Sequence, residues 1–165
     1  MISRPTPKHI SGLSELAADY DVILSDVWGV VHDGRTHTPS AADALTRFRA
    51  KGGTVVLITN APRPRAPIQD MLDGFGLPRE AYDSIVSSGD VTVDLVAARG
   101  TAPLHHIGPP KDLSLFETVA ERTGEKPPLL PLAQAEYVVC TGLFDDYGDP
   151  EPYMPTLAAM KERDM

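Results

Sequence analysis

The chain has one cysteine, Cys140, in 165 residues. No internal disulfide framework is open to it, and a reducing compartment suits it. Long apolar runs are also missing: nothing approaches the ~20 residues of a membrane span. Residues 1–10 lack the apolar core of a secretion signal. Positive charge is scarce, with 15 Lys and Arg against 23 Asp and Glu and a formal net charge of −8. That balance argues against non-specific nucleic-acid binding, which depends on Lys and Arg displacing phosphate counterions. It leaves room for a small anionic substrate held locally. No internal repeat or low-complexity segment is present. The expectation is a soluble, cytoplasmic protein, long enough for one domain with a real core or for one domain and part of another.

What is present is a regular alternation. After an irregular lead-in over residues 1–10, residues 11–18 suggest a short helix capped by Ser11. Val22-Ile23-Leu24 is a short apolar run that reads as a strand buried on both faces, and it ends at Ser25-Asp26. Ser40 opens a helix with Ala41, Leu45 and Phe48 at helical spacing, stopped by Gly52-Gly53. Residues 54–58 form a second apolar strand that runs into Thr59-Asn60. A strand-helix-strand unit predicts parallel strands joined by a right-handed crossover, so Asp26 and Thr59 project at one edge of the sheet.

The pattern continues through a helix over 67–75, a short strand at Ile85-Val86, and a helix over 91–99 capped by Asp90. A strand follows over 104–107, then a helix over 112–123, a proline-rich loop over 126–131, a strand over 137–141, and a helix over 151–165. This βαβα order implies an α/β fold with a mostly parallel sheet. A final helix where a strand is next expected points to a truncated chain.

A carboxylate ending one buried strand beside a hydroxyl ending its parallel neighbour suits phosphoryl transfer through an aspartyl-phosphate. The carboxylate attacks phosphorus, the hydroxyl and turn amides hold the non-bridging oxygens, and Mg²⁺ offsets the repulsion between two anions. The bland alternative is that Asp26 caps a turn and Thr59-Asn60 merely end a strand. A dinucleotide-binding domain needs Gly-x-Gly-x-x-Gly after its first strand, and Asp26-Val27-Trp28-Gly29 is not that. A receiver domain needs an acidic pair there, which is also missing.

Asp26-Val27-Trp28-Gly29-Val30, the following His32-Asp33-Gly34, and Leu57-Ile58-Thr59-Asn60 about thirty residues on resemble motifs I and II of the haloacid dehalogenase (HAD) superfamily. The match is closest to its class IIA branch, which includes nitrophenylphosphatase and NagD-like phosphatases. Ser87-Ser88-Gly89-Asp90, Ile107-Gly108 and Val138 to Leu143 resemble the way that class enters and builds its inserted cap. The resemblance implies a HAD-like Rossmannoid core over residues 1–82 and part of an inserted C2-type α/β cap over 83–165. It implies Asp26 as nucleophile and Mg²⁺ ligand, and Trp28 as the position whose backbone carbonyl is a second metal ligand. Thr59 matches the phosphate-binding hydroxyl, Asn60 the neighbour that orders its loop, and Gly29 the residue that lets turn amides reach the phosphate. A small phosphorylated metabolite as substrate and a homodimer through the cap are further implications.

Two departures accompany it. Family phosphatases carry a second Asp where this chain has Trp28, and an indole can neither protonate a leaving group nor activate water. His32 is a candidate substitute acid, but a surface or flap histidine needs no catalytic explanation, and Trp28 reads as a packing or lid residue. The motif III Lys and the motif IV acidic pair have no counterpart within 165 residues. A hydrolase of small organophosphates is therefore weighed against a weakened phosphate-ligand binding protein and a HAD enzyme of non-phosphatase chemistry. Among other polar groups, adjacent His105 and His106 point to opposite strand faces and cannot easily share a metal. Asp145, Asp146 and Asp149 lack calcium-loop spacing and read as a solvated loop, in a region where class IIA caps help choose substrate. Arg63 and Arg65 read as solvated, and Cys140 as a buried core thiol.

Overall fold

The computed structural model describes residues 9–144 and 149–165. Most of the irregular lead-in, and Asp145 and Asp146 of the acidic loop, lie outside the described residues. The elements run β1 (Val22–Asp26), α1 (Pro39–Ala50), β2 (Thr54–Thr59), α2 (Arg65–Gly74), β3 (Ser84–Ser87), α3 (Ser88–Ala97), β4 (Leu104–Ile107), α4 (Ser114–Thr123), β5 (Tyr137–Cys140) and α5 (Met154–Glu162). Parallel strands and intervening helices are the α/β arrangement that the alternation implies. The strands form two sheets, one ordered β1-β2-β3 and one of β4 with β5. The chain divides into two compact units, Met1–Thr59 with Gln69–Val86, and Asn60–Ile68 with Ser87–Met165.

In the first unit, β1 pairs with β2 in parallel register, Val22 opposite Thr54 and Asp26 opposite Ile58. The sheet's two faces differ. Val55 and Leu57 are fully buried, and α1 turns Ala42, Leu45 and Phe48 inward. On the alternate positions, Val22 is 50% exposed, Leu24 66%, Ile58 40% and Val86 44%. The expectation of a first strand buried on both faces is therefore wrong. An unbroken apolar run marks a strand as fit for two-sided burial, but among the described residues only one side of β1 is covered. The segment read as a helix over 11–18 is two 3-10 turns, Leu13–Glu15 and Ala17–Asp19. Ser11 does not cap them with its side chain, and instead its N–H donates to Glu15 Oε1 at 2.7 Å.

The second unit closes around Val93, Val96, Leu104, Leu115, Phe116, Val119 and Val139. Its two strands run parallel, with Leu104 opposite Tyr137 and Ile107 opposite Cys140. Cys140 is exposed, contrary to the buried thiol expected from its apolar strand. Alternation sends Val139 into the core and Cys140 to the other side. Helix α3 starts three residues earlier than its periodicity suggests, and its cap is Ser87, whose Oγ accepts the Asp90 N–H at 3.0 Å. Asp90 is thereby the third residue of the helix, where its charge favours the positive end of the helix dipole.

The start of α3 also packs against the segment that follows β2. The Gly89 N–H donates to Ala61 O at 3.1 Å, and a Cβ on Gly89 would lie 2.2 Å from the Arg63 carbonyl carbon. Gly→Ala inside a helix ordinarily gains up to about 1 kcal/mol in propensity, but here the added methyl meets backbone that has no rotamer to yield. Gly89→Ala is expected to destabilise the chain by about 1–3 kcal/mol. A lower urea midpoint at unchanged m-value is the readout; a midpoint that rose would show the backbone contact to be slack.

Candidate active site

Asp26 ends β1 and Thr59 ends β2, so both stand at the carboxyl end of a parallel pair, the edge where open α/β sheets take ligands. Thr59 lies one position beyond Ile58, the register partner of Asp26. Alternation puts the two side chains on opposite faces at that edge: Thr59 is 7% exposed, while Asp26 is open to solvent. Asp26 is held by its own turn, its Oδ1 accepting the Val27 N–H at 2.7 Å and its carbonyl accepting Ser25 Oγ–H at 2.9 Å. Asn60 is exposed and begins the segment that groups with the second unit.

The residues after Asp26 fold into a tight flap. Val27 O accepts the Val31 N–H at 3.0 Å, and the Thr38 N–H returns to Val31 O at 2.8 Å. Gly29 adopts φ 75°, the left-handed conformation that glycine enters without steric cost. Its own N–H donates to His32 O at 2.9 Å, so this amide closes the turn. Asp33 Oδ1 accepts the N–H groups of Arg35 and Thr36 at 2.9 and 3.0 Å. The bonds from Thr36 and Arg35 hold its carboxyl below the usual range.

His32 is the surprise in this flap. It is only 4% exposed, with its ring centroid 5.3 Å from that of Trp28 and 5.2 Å from that of Phe75. Its Nδ1 accepts the Gly34 N–H at 2.9 Å. Burial lowers the imidazole pKa below its ordinary value, against the opposing pull of Asp33. It is thus an interior residue of the flap: of the surface or flap positions read from the sequence the structure gives the flap, with the ring enclosed. The pattern His-Asp-Gly signals a turn but not which of its side chains is enclosed. A depressed histidine pKa contributes stability fully above about pH 6.5, and that contribution is lost as pH falls through the folded value. Protonation also removes the Nδ1 lone pair that Gly34 uses. The urea midpoint is expected to fall between about pH 7.5 and pH 5, with His32→Phe flattening that step; an equal fall in the variant would place the titration elsewhere.

Trp28 is 62% exposed. It lies across Gly34 so closely that a Cβ there would sit 2.6 Å from indole Cζ3. The indole therefore caps the flap from outside, as a packing residue does.

In the second unit, His105 Nδ1 faces Leu130 O at 3.0 Å and His106 Nε2 faces Thr141 Oγ1 at 2.9 Å, two separate partners. Arg65 is not merely solvated: its Nε stands 3.4 Å from Asp90 Oδ2. Among the described residues, no three His, Cys, Asp or Glu side chains are grouped to hold a metal ion. Mg²⁺ takes six oxygens, commonly one or two carboxylates with several waters. The described residues fit that ion in part, with Asp26 as a single accessible carboxylate.

The pattern of the haloacid dehalogenase-like hydrolases matches residues 23–120, more than half of the chain and both strand ends described above. The chain belongs to that family. A haloacid dehalogenase-like hydrolase from Brucella suis superposes with a TM-score of 0.81 at 42% identity, over 93% of this chain and 56% of its own. A p-nitrophenyl phosphatase from Archaeoglobus fulgidus superposes at 0.61 and 19% identity, over 86% of this chain and 51% of its own. A glycerol phosphate phosphatase from Mycobacterium tuberculosis, solved with magnesium, superposes at 0.57 and 20% identity, over 88% and 43%. The last two establish a shared HAD-like Rossmannoid fold. No curated protein matches the sequence. This HAD-like chain spans about half the length of the solved relatives it matches.

Proposed function

We propose that this chain is the part of a HAD-type hydrolase that carries the nucleophile, and that the whole enzyme cleaves a small organophosphate through Asp26. The observation that supports the reading is that Asp26 and Thr59 end paired parallel strands at the same edge of the sheet. In the proposed reaction Asp26 Oδ2 attacks phosphorus, because Oδ1 is engaged by the Val27 N–H. The bond from phosphorus to the leaving oxygen breaks, giving an aspartyl-phosphate and an alcohol once that oxygen takes a proton. Water then attacks the phosphorus and returns the free carboxylate with inorganic phosphate. The Thr59 hydroxyl donates to a non-bridging oxygen and Asn60 orders the loop beyond it. The Asp26 carboxylate and the Trp28 carbonyl are the groups that would hold Mg²⁺, which when bound offsets the charge of the phosphate. The unit built on β1-β2-β3 is the partial core in this reading, and the unit built on β4-β5 is part of the inserted cap.

Trp28 favours a second reading. Its indole supplies no acid, so the site also suits a phosphate-ligand binder of low turnover, or HAD chemistry that needs no acid at this position.

The deciding experiment follows phosphate release from p-nitrophenyl phosphate and glycerol phosphate, with Mg²⁺ or with EDTA. Two proteins are compared: the 165-residue chain, and the same chain fused to the part of the Brucella suis relative outside the match. The chain alone is expected to bind Mg²⁺ weakly and release negligible phosphate, and the fusion to release it only with Mg²⁺. Robust release by the chain alone would show that its own residues suffice. A folded fusion that binds phosphate without turnover would favour the binding reading.

A further inference from the structure

The carboxylate of Asp90 has no part in the reaction outlined above, yet the starts of two helices converge on it. Asp90 is the third residue of α3, and its Oδ1 accepts the N–H of Arg65, the first residue of α2, at 3.2 Å. Amides in the first turn of a helix have no partner within it, so Asp90 supplies from a neighbouring helix what a cap residue supplies locally. Its Oδ2 is closed off from solvent and has no hydrogen-bond partner among the described residues, with Arg65 Nε at 3.4 Å. The positive ends of both helix dipoles favour a carboxylate at this place.

The segment held in this way is the one that leaves β2. Asn60-Ala61-Pro62-Arg63-Pro64 joins Thr59 to Arg65. Each proline ring fixes its own φ and restricts the residue before it, so a link this short and stiff carries the position of one end to the other. A second tie lies midway, where the Gly89 N–H donates to Ala61 O at 3.1 Å and the Arg63 backbone leaves no room for a Cβ on Gly89. We infer that Asp90 is a positioning residue: by capping α2 it holds residues 60–64 in one path and so sets where Thr59 and Asn60 meet the phosphate. Its effect on rate rests on the roles proposed for Thr59 and Asn60, whereas its effect on the segment does not.

The test compares Asp90→Ala, which leaves the Arg65 N–H without an acceptor, with Asp90→Asn, which keeps one, since Asn caps as well as Asp. Hydrogen exchange in the 165-residue chain comes first. In Asp90→Ala the amides of Arg65 and Gly89 are expected to exchange about tenfold faster than in the parent, and in Asp90→Asn at nearly the parent rate. Faster exchange at Arg65 with Gly89 unchanged would overturn the inference, because the cap would then not reach Ala61. Turnover of the fused protein with Mg²⁺ comes second. Asp90→Ala is expected to lower kcat about tenfold on p-nitrophenyl phosphate and glycerol phosphate alike, as a small misplacement of a positioning group does, with KM little changed and Asp90→Asn restoring the rate. Val119→Ala, in the core of the second unit, is expected to lower the urea midpoint while kcat stays at the parent value. An active fusion whose kcat is untouched by Asp90→Ala, or falls as far in Val119→Ala, would reduce Asp90 to a stabilising residue and sink the inference. Should Asp90→Ala fail to fold, Asp90→Ser, whose hydroxyl falls short of Arg65, takes its place. A folded parent fusion without turnover would remove the hydrolase reading, and the exchange measurement would then decide by itself whether Asp90 positions the segment.

Discussion

Asp26→Asn is expected to lower the Mg²⁺-dependent turnover of the fused protein by about four orders of magnitude or more, with stability nearly unchanged. Removing the nucleophile of a covalent mechanism typically costs that much, because binding and positioning alone sustain only a small residue of the rate. The amide that replaces the carboxylate has no anionic oxygen to attack phosphorus. It retains a carbonyl oxygen for the Val27 N–H, which Asp26 Oδ1 now accepts at 2.7 Å, and the position is exposed. A change within about 0.5 kcal/mol is therefore expected in the urea midpoint. Acid-quenched reactions with radiolabelled substrate should show label on the parent protein and none on the variant. Turnover that survived the substitution would assign the nucleophile to another residue.

Trp28→Asp is expected to act in the opposite direction, raising kcat by about a hundredfold with little change in KM. A positioned general acid contributes roughly 10²–10⁴ in rate, and the motif I resemblance implies that acid at the position of Trp28. Its 62% exposure leaves space for a carboxylate at the surface of the flap. The cost is the edge contact with His32 at 5.3 Å and the cover over Gly34. Loss of one aromatic pair amounts to about 0.5–1.5 kcal/mol. The pH profile supplies an independent check, since an acid that must be protonated adds a falling limb at high pH. A variant with unchanged kcat and an unchanged profile would show that proton delivery does not limit the parent. His32 is a poor alternative donor: its Nδ1 is an acceptor for Gly34 and burial lowers its pKa.

The positions of Asp26 and Thr59 are legible in the sequence. Apolar runs that end in polar residues, separated by helical periodicity, suffice to place Asp26 and Thr59 at the ends of neighbouring parallel strands. The reason is that strand length, helix phase and turn chemistry are local properties. The helix over Pro39–Ala50, the inward set Leu115, Phe116 and Val119, and the strand at Leu104–Ile107 follow from the same local signals.

The misreadings share a different cause. Whether Leu24 meets a helix or water, whether His32 is enclosed by Trp28 and Phe75, and whether Cys140 faces the core depend on chain far away in sequence. The choice of Ser87 over Asp90 as the cap of α3 belongs with them, because a short polar run offers several residues able to cap and the packing of Gly89 on Ala61 and Arg63 selects the phase. By itself, then, the sequence determined the alternating parallel α/β architecture and the carboxylate at the first strand's end, through period and turn chemistry. Only the tertiary structure decided which side of β1 lies bare, since coverage of a face is set by the sum of long-range contacts.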